Sequence, residues 1–165
     1  MMALILCAGY GKRLRPLTWF KPKPMVKVHG RPMLEHIVDY LHDNGVYKII
    51  VNTHYKPTKI MKHFGTELLY TYEKSLLGEA GTIESIVAWV KEPLVVMNGD
   101  TLTNLDLVSM YKMSSGNNIA SYDGDIYTGC KILFPGQDIE KLYKYRQANI
   151  RWQDMGTLKS LFSTK

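Results

Sequence analysis

Short apolar runs alternate with amphipathic segments over the first 100 residues. Four runs have the length of buried strands and end at turn-forming residues, at positions 3–7, 47–52, 68–72 and 94–97. Segments with apolar residues at helical spacing lie between them, at positions 32–44, 57–64 and 78–90. This alternation predicts an α/β fold with a parallel sheet and helices on both faces. Ligands of such sheets bind at the carboxyl ends of the strands.

The pattern changes after Asp100. Residues 107–113 fit a short helix, and residues 118–122 and 126–134 flank the turn sequence Asp123-Gly124-Asp125, which predicts antiparallel strands. Residues 137–145 fit a helix, and a last helix is expected to begin at Gly156 and Thr157. Because repeats, low-complexity segments and linkers are absent from the sequence, we expect one domain over residues 1–165.

The composition is that of an ordinary globular protein, with 45% hydrophobic and 22% charged residues. No apolar run approaches the roughly 20 residues of a membrane span. The apolar N-terminus lacks a basic segment and a small-residue cleavage site, so we interpret it as a first strand rather than a signal peptide. Cys7 and Cys130 lie in apolar runs and are expected to be buried thiols, which favours a reducing, cytoplasmic location.

The net charge of +6 indicates an anionic partner, or serves solubility alone. The cations are densest in the first 30 residues, beside a glycine-bearing loop that follows the first apolar run. The loop reads Leu6-Cys7-Ala8-Gly9-Tyr10-Gly11-Lys12-Arg13. Glycines let backbone N–H groups approach an anion and the cations neutralise it, so the segment favours a small polyphosphate over nucleic acid. It is neither a P-loop nor a dinucleotide fingerprint, because the required lysine spacing and third glycine are missing.

Two carboxylates stand at comparable places further along the chain. Asp100 follows the apolar run at 94–97, and Asp154 precedes the small residues Gly156 and Thr157. Either could cap the segment that follows it. Two carboxylates from separate strand ends are also a common way to hold one Mg²⁺, which takes waters and phosphate oxygens as its other ligands.

Together these segments resemble the sugar-1-phosphate nucleotidylyltransferases. The resemblance follows the family's motif order and spans residues 3 to 157, although the chain is short for a member. The segments that carry it are Leu6-Cys7-Ala8-Gly9-Tyr10-Gly11-Lys12-Arg13-Leu14, Pro16-Leu17-Thr18, Pro22-Lys23-Pro24-Met25, Gly30-Arg31-Pro32-Met33-Leu34, Leu77-Gly78-Glu79-Ala80-Gly81, Asn98-Gly99-Asp100 and Trp152-Gln153-Asp154-Met155-Gly156-Thr157.

The resemblance implies a three-layer αβα, Rossmann-like nucleotide-binding domain with a mixed, mostly parallel sheet. The implied reaction joins a nucleoside triphosphate to a sugar 1-phosphate or similar phosphorylated acceptor and releases pyrophosphate. It implies Arg13, Lys23, Asp100 and Asp154 as catalytic residues, with Asp100 and Asp154 binding Mg²⁺. The implied nucleotide-binding residues are Leu6, Ala8, Gly9, Gly11, Lys12, Arg13, Lys23, Glu73, Gly78 and Asp100.

Glu73 stands five residues before Gly78, where the family often has an amide or a carboxylate. A carboxylate only accepts hydrogen bonds, so it favours a base edge rich in donors, as in GTP or CTP, over uracil. The alternative is a solvated surface glutamate.

The chain departs from the family on the acceptor side. Members commonly carry a Glu-Lys-Pro motif between the two metal carboxylates, and this chain lacks it. One hypothesis is that Lys131 substitutes for that lysine, with Asn98 and Gly129 beside the acceptor. Another is that the pocket is open and takes a small or unusual phosphorylated acceptor. A β-bulge is the alternative role of Gly129. The rival function is a catalytically reduced nucleotide-binding or regulatory domain. Neither a nucleic-acid nor a membrane partner is expected, and homo-oligomerisation is left open.

Overall fold

A computed structural model describes residues 1–163, and the side chains of residues 1–161. Its strands, in chain order, are β1 (Met2–Leu6), β2 (Lys27–Val28), β3 (Arg31–Pro32), β4 (Lys48–Thr53), β5 (Leu69–Tyr72), β6 (Leu94–Asn98), β7 (Thr101–Thr103), β8 (Ile119–Asp123), β9 (Ile126–Leu133), β10 (Tyr143–Tyr145) and β11 (Trp152–Asp154). Its α-helices are α1 (Met33–Asp43), α2 (Pro57–Phe64), α3 (Gly78–Val87), α4 (Leu107–Ser114) and α5 (Leu158–Ser163). The strands and helices predicted over the first 100 residues are confirmed within three residues at each end.

The main sheet has seven strands in the order β10-β8-β9-β6-β1-β4-β5. Strands β6, β1, β4 and β5 run parallel, whereas β9 is antiparallel to both of its neighbours, β6 and β8. This is the mixed, mostly parallel sheet that the sequence predicted. In the parallel register, Leu6 lies opposite both Asn52 and Asn98, so these three residues form one row at the carboxyl ends of their strands.

Helices cover both faces of the sheet, which confirms the three-layer αβα prediction. One core contains Leu34, Ile37, Val38 and Leu41, whose spacing places them on one face of α1, together with residues of α2 and α4. The other core lies beneath α3, where helical and strand side chains pack together: Ile83, Ile86, Leu4, Ile50 and Val96. The strands at the centre of the sheet are therefore apolar on both faces, as expected for a doubly covered sheet.

The helix predicted over residues 137–145 is wrong. The chain there makes turns and then the short strand β10, which pairs parallel to β8 at the edge of the sheet. The Asn118 side chain fixes this course by donating to the carbonyl of Asp138 over 2.9 Å. Tertiary pairing with β8 therefore overrides the local helical spacing.

A two-stranded ribbon that the sequence analysis did not predict lies beside the main sheet. Strand β11 pairs antiparallel with β7, so that Asp154 lies opposite Thr101. The backbone N–H of Met155 also donates to the carbonyl oxygen of Asp100 over 2.8 Å. The ribbon therefore brings the end of the described chain back to the loop after β6.

The antiparallel pairing of β8 and β9 is confirmed, and its register shifts next to Gly129. Gly129 has φ +82°, a left-handed conformation that favours glycine. The bulge expected as the alternative role of Gly129 is therefore present.

Both cysteines, Cys7 and Cys130, are free and buried, as predicted. Among the residues that the structure describes, no helix combines the length and the apolar character needed to cross a bilayer.

Candidate active site

The glycine loop leaves β1 without opening a helix, as the sequence analysis expected. It forms short 3₁₀ turns at Lys12–Leu14, Leu17–Trp19 and Lys23–Met25. The Thr18 hydroxyl donates to the carbonyl of Gly11 over 2.8 Å, which ties the second turn to the loop. The loop is thereby folded back so that Lys23 returns to the end of β1.

A cavity of about 230 Å³ opens between the carboxyl ends of the strands and α3. Five of the predicted nucleotide-binding residues line it, Leu6, Ala8, Gly9, Glu73 and Gly78, together with Asn52, Leu76, Glu79 and Thr82. The sequence analysis assigned no binding role to Asn52 or Thr82. A signal for Asn52 was present, because it is a polar residue at the end of a predicted buried strand.

Glu73 is only 6% exposed, which excludes a solvated surface role. Its Oε1 accepts from the Asn52 Nδ2 at 2.8 Å and from the Thr82 hydroxyl, and its Oε2 accepts from the Leu77 N–H at 3.1 Å. Asn52 in turn accepts from the N–H of Cys7. Glu73 therefore connects the glycine loop, β4 and the start of α3 around the cavity.

A second cavity of about 200 Å³ adjoins the first. It is lined by Leu6, Cys7, Gly9, Lys23, Pro24, Asn98, Gly99 and Asp100. Leu6 and Gly9 line both cavities, so the two form one continuous cleft across the end of β1. The first part is lined by apolar groups, polar uncharged groups and the carboxylates of Glu73 and Glu79, and the second holds a cation, Lys23, beside the carboxylate of Asp100.

Gly99 sets the position of Asp100. A Cβ on Gly99 would lie 2.5 Å from the carbonyl oxygen of Leu6 and 2.8 Å from the Sγ of Cys7. Only glycine allows β6 and β1 to approach this closely where they end. Asp100 is followed by a turn and β7 rather than a helix, so the helix-cap alternative does not hold for it.

Lys23 and Asp100 form an ion pair, and both side chains are 16% exposed. Asp100 also lies close enough to Cys7 for its charge to shift the pKa of the thiol. Burial raises the pKa of Cys7 well above its usual range, and the negative charge of Asp100 raises it further.

Gly156 marks the point where the four predicted catalytic residues meet. A Cβ at this position would lie 2.6 Å from Asp154 Oδ1, 3.0 Å from Arg13 Nη2 and 3.1 Å from Lys23 Nζ. Because Lys23 is paired with Asp100, residues from both ends of the chain converge here. Asp154 does not cap α5, since Thr157 Oγ1 accepts from the N–H of Ser160 there.

The arrangement suits a metal that takes few protein ligands. Asp100 is paired with Lys23, and Lys23 and Asp154 approach the same Cβ position at Gly156. Asp154 Oδ1 already accepts from the N–H of Gly156 at 2.6 Å. Among the described residues, no three His, Cys, Asp or Glu side chains are grouped as a metal cage. One or two carboxylates, completed by waters and phosphate oxygens, are the donor set that Mg²⁺ favours.

The acceptor-side residues lie next to this cleft. Gly129 faces Asn98 and Thr101, since a Cβ on it would lie 3.1 Å from Asn98 Nδ2 and 2.7 Å from Thr101 Oγ1. The Lys131 Nζ lies 2.6 Å from Glu79 Oε1, in the first turn of α3.

Three predicted nucleotide-binding residues, Gly11, Lys12 and Arg13, line neither cavity, and Arg13 lies instead beside Gly156. Gly11 packs against Thr18 and Lys23 at the base of the loop. Lys12 is exposed, with its Nζ 5.7 Å from the centre of the Tyr10 ring.

Solved structures share this fold. The structure of HddC from Yersinia pseudotuberculosis superposes with a TM-score of 0.81 at 22% identity, covering 97% of this chain and 96% of that one. The same protein complexed with GMP-PN gives a TM-score of 0.78, also at 22% identity, with the same coverage.

Sequence relatives match about two thirds of the chain. A D-glycero-alpha-D-manno-heptose 1-phosphate guanylyltransferase of Campylobacter jejuni is 38% identical over 112 residues, which are 65% of this chain and 51% of the relative. The UTP–glucose-1-phosphate uridylyltransferase AglF of Haloferax volcanii is 37% identical over 117 residues, 68% of this chain and 48% of the relative. The chain thus matches about half the length of these relatives.

The sequence model of the nucleotidyl transferase family matches residues 2–122, nearly three quarters of the chain. The chain therefore belongs to the nucleotidyl transferase family.

Proposed function

We propose that the protein is a Mg²⁺-dependent nucleotidylyltransferase that joins a nucleoside triphosphate to a sugar 1-phosphate or similar phosphorylated acceptor. The observation that carries the proposal is the convergence of Arg13, Lys23 and Asp154 on Gly156, with Asp100 paired to Lys23. Two cations and two carboxylates at the end of a base-sized cavity suit a triphosphate and its metal ion. The products are a nucleoside-diphospho sugar and pyrophosphate.

The reaction needs no general base, because the acceptor phosphate is already an anion. Its oxygen attacks the α-phosphorus in line, a new P–O bond forms, and the bond from the α-phosphorus to the bridging oxygen of pyrophosphate breaks. The bonding electrons leave with pyrophosphate, whose growing charge Arg13 and Lys23 stabilise. Catalysis then consists of positioning and charge neutralisation.

Asp100 and Asp154 would hold Mg²⁺ against the α-phosphate. When bound, the ion neutralises the α-phosphate oxygens and orients them for attack. Asp100 would exchange its contact with Lys23 for this role, which frees the lysine for the triphosphate.

We propose GTP or CTP as the nucleotide. A carboxylate can accept roughly four hydrogen bonds. Glu73 already accepts three, from Asn52, Thr82 and Leu77, so one acceptor position on Oε2 is left for a donor of the base. Guanine and cytosine present amino groups as donors, and uracil presents only its ring N–H. Relatives named as guanylyltransferases agree with the first choice.

We propose the acceptor class from the names of the relatives, which act on heptose 1-phosphate and glucose 1-phosphate. Two free cysteines favour action in the reducing cytoplasm.

The test is a matrix of the four nucleoside triphosphates against several sugar 1-phosphates and non-sugar phosphates, with and without Mg²⁺, followed by pyrophosphate release. We expect release only with Mg²⁺ and a phosphorylated acceptor, fastest with GTP or CTP. Nucleotide binding without release for any acceptor would instead support the reduced, regulatory domain. Absence of nucleotide binding would exclude both functions.

A further inference from the structure

An ion pair joins β9 to α3 beside the cleft. Lys131 Nζ lies 2.6 Å from Glu79 Oε1, and the two side chains differ in burial, with Lys131 12% exposed and Glu79 43% exposed. The lysine is thus largely enclosed, while its counter-charge stands at the surface. Among the described residues, Glu79 is the one carboxylate paired with Lys131. Removing the counter-charge of an enclosed ammonium is costly, whereas returning an exposed carboxylate to water is not.

The pair lies at the border of the two halves of the site. Lys131 is opposite the fully buried Val96 in the sheet, two residues before the end of β6 at Asn98. Two residues earlier on the same face, Gly129 approaches Asn98, which lines the phosphate-side cavity. Glu79 lines the base cavity. A ligand extending from the cleft past Asn98 would therefore reach Lys131 and Glu79 together.

Tyr127 supplies a second, independent observation. Its hydroxyl is buried and has no hydrogen-bond partner among the described residues, and Lys131 Nζ lies 5.5 Å from the centre of its ring. Burial raises the pKa of Tyr127 far above its usual range, and the charges of nearby residues including Glu79 raise it further, so the hydroxyl stays a donor. An unpaired buried donor costs free energy that a ligand oxygen would recover.

We propose that Lys131 and Glu79 form an exchangeable ion pair, in which the phosphate monoester of the acceptor displaces the Glu79 carboxylate from Lys131. This inference rests on the proposed function. The carboxylate occupies the position of a phosphate oxygen, at the distance typical of an ammonium–oxyanion contact. After the exchange, Glu79 turns to solvent in the first turn of α3, where the helix dipole favours a negative charge. The exchange would supply the acceptor-side lysine that the chain lacks as a motif.

The test compares three variants with the wild type. Lys131→Met removes the cation and keeps the length of the side chain, and Glu79→Gln removes the competing charge. Lys144→Met is the matched control, because Lys144 is also an ion-paired lysine of the sheet, bonded to Asp125 at the far edge. The probes are D-glucose 1-phosphate, inorganic phosphate and uncharged D-glucose. Calorimetry measures their binding to protein saturated with a non-hydrolysable GTP analogue and Mg²⁺, so that the triphosphate site is already filled.

We expect Lys131→Met to weaken glucose 1-phosphate binding by about tenfold or more, as for loss of a charged hydrogen bond. Glu79→Gln should tighten it several-fold, Lys144→Met should match the wild type, and D-glucose should bind to none of them. Inorganic phosphate should show the same order, which separates recognition of the phosphate from recognition of the sugar. Affinity for the GTP analogue should be the same in Lys131→Met and the wild type.

Equal affinity of Lys131→Met and Lys144→Met for both phosphate probes would overturn the inference, as would absence of phosphate binding to the nucleotide-loaded wild type. Weaker binding in Glu79→Gln would also overturn it, because the pair would then be structural rather than competitive. The proposed function fails separately, if the wild type binds neither the GTP analogue nor the corresponding CTP analogue.

Discussion

Lys23 and Asp100, which are 77 positions apart in the chain, form an ion pair at the end of β1. Each side chain is 16% exposed, so neither charge is well solvated and each needs the other. A triphosphate bound with Mg²⁺ would bring phosphate oxygens to pair with Lys23 and a metal ion to pair with Asp100. We therefore expect substrate binding to replace the ion pair by contacts of Lys23 with phosphate and of Asp100 with the metal ion.

Replacing Asp100 with Asn should lower turnover by about 10²-fold or more, since a carboxylate that positions charge at the reacting phosphate is lost. Nucleotide binding without Mg²⁺ should be kept or strengthened, because Lys23 is then free of its counter-charge. Pyrophosphate release and calorimetry with and without Mg²⁺ measure the two effects.

Asp39→Asn is the matched control for this change, because Asp39 is an exposed carboxylate of α1 paired with Arg31. It should leave turnover unchanged. Unaltered turnover in Asp100→Asn would exclude a metal-binding role for Asp100.

Replacing Glu73 with Gln should lower both stability and base selectivity. The substitution replaces one acceptor oxygen of the carboxylate with an NH₂ group, which only donates. At least one of the donors of Asn52, Thr82 and Leu77 therefore loses its hydrogen-bond partner. The free energy of unfolding should fall by about 1–3 kcal/mol. The ratio of kcat/KM for GTP to that for UTP should fall with it.

Urea unfolding and the GTP-to-UTP ratio check these two outcomes. Glu84→Gln on the exposed side of α3 is the control and should change neither. An unchanged ratio together with lower stability would make Glu73 a purely structural residue.

Replacing Gly99 with Ala should destabilise the protein, because the methyl group would lie 2.5 Å from the carbonyl oxygen of Leu6. The strand ends must separate to admit it, at a cost of about 1–3 kcal/mol. Thermal unfolding measures the loss. Gly9→Ala should leave the stability near that of the wild type, because a Cβ at Gly9 has no neighbour within 4 Å. Equal stability of the two variants would contradict the close approach of β1 and β6.

The two thiols should be unreactive in the folded protein. Burial raises the pKa of the Cys130 thiol to about 12 and that of Cys7 higher still, so almost no thiolate is present at pH 8. Ellman's reagent should label neither residue at pH 8 and both after unfolding in urea. Rapid labelling of one thiol before unfolding would show that the end of β1 or β9 opens readily.

Local patterns predicted most elements of the fold. Apolar runs predicted β1 and β6, helical spacing predicted α1 and α3, and a turn signal predicted the β8–β9 pair. These features depend on residues close together in the chain, which is why a single sequence reveals them. The wrong helix at residues 137–145 shows the limit, because pairing of β10 with β8 decided that segment.

The sequence named the residues of the candidate site but not how they are arranged in space. The functional roles of these residues remain predictions. The apolar run at 94–97 placed Asp100 just after a strand, which the structure bears out. Burial of Glu73 and its contact with Asn52 were not predictable, because the three donors around it come from different elements.

The hydrophobic pattern of the chain was enough to predict most of the strands and helices and the edge of the sheet where polar residues collect, since each follows from side-chain periodicity over a few neighbours. Tertiary structure alone decided which of those polar residues meet. The β7–β11 pairing brings Asp154 opposite Thr101, and the Lys131–Glu79 pair joins β9 to α3. Such contacts depend on how separate elements pack, and that packing is a property of the whole chain rather than of any segment of it.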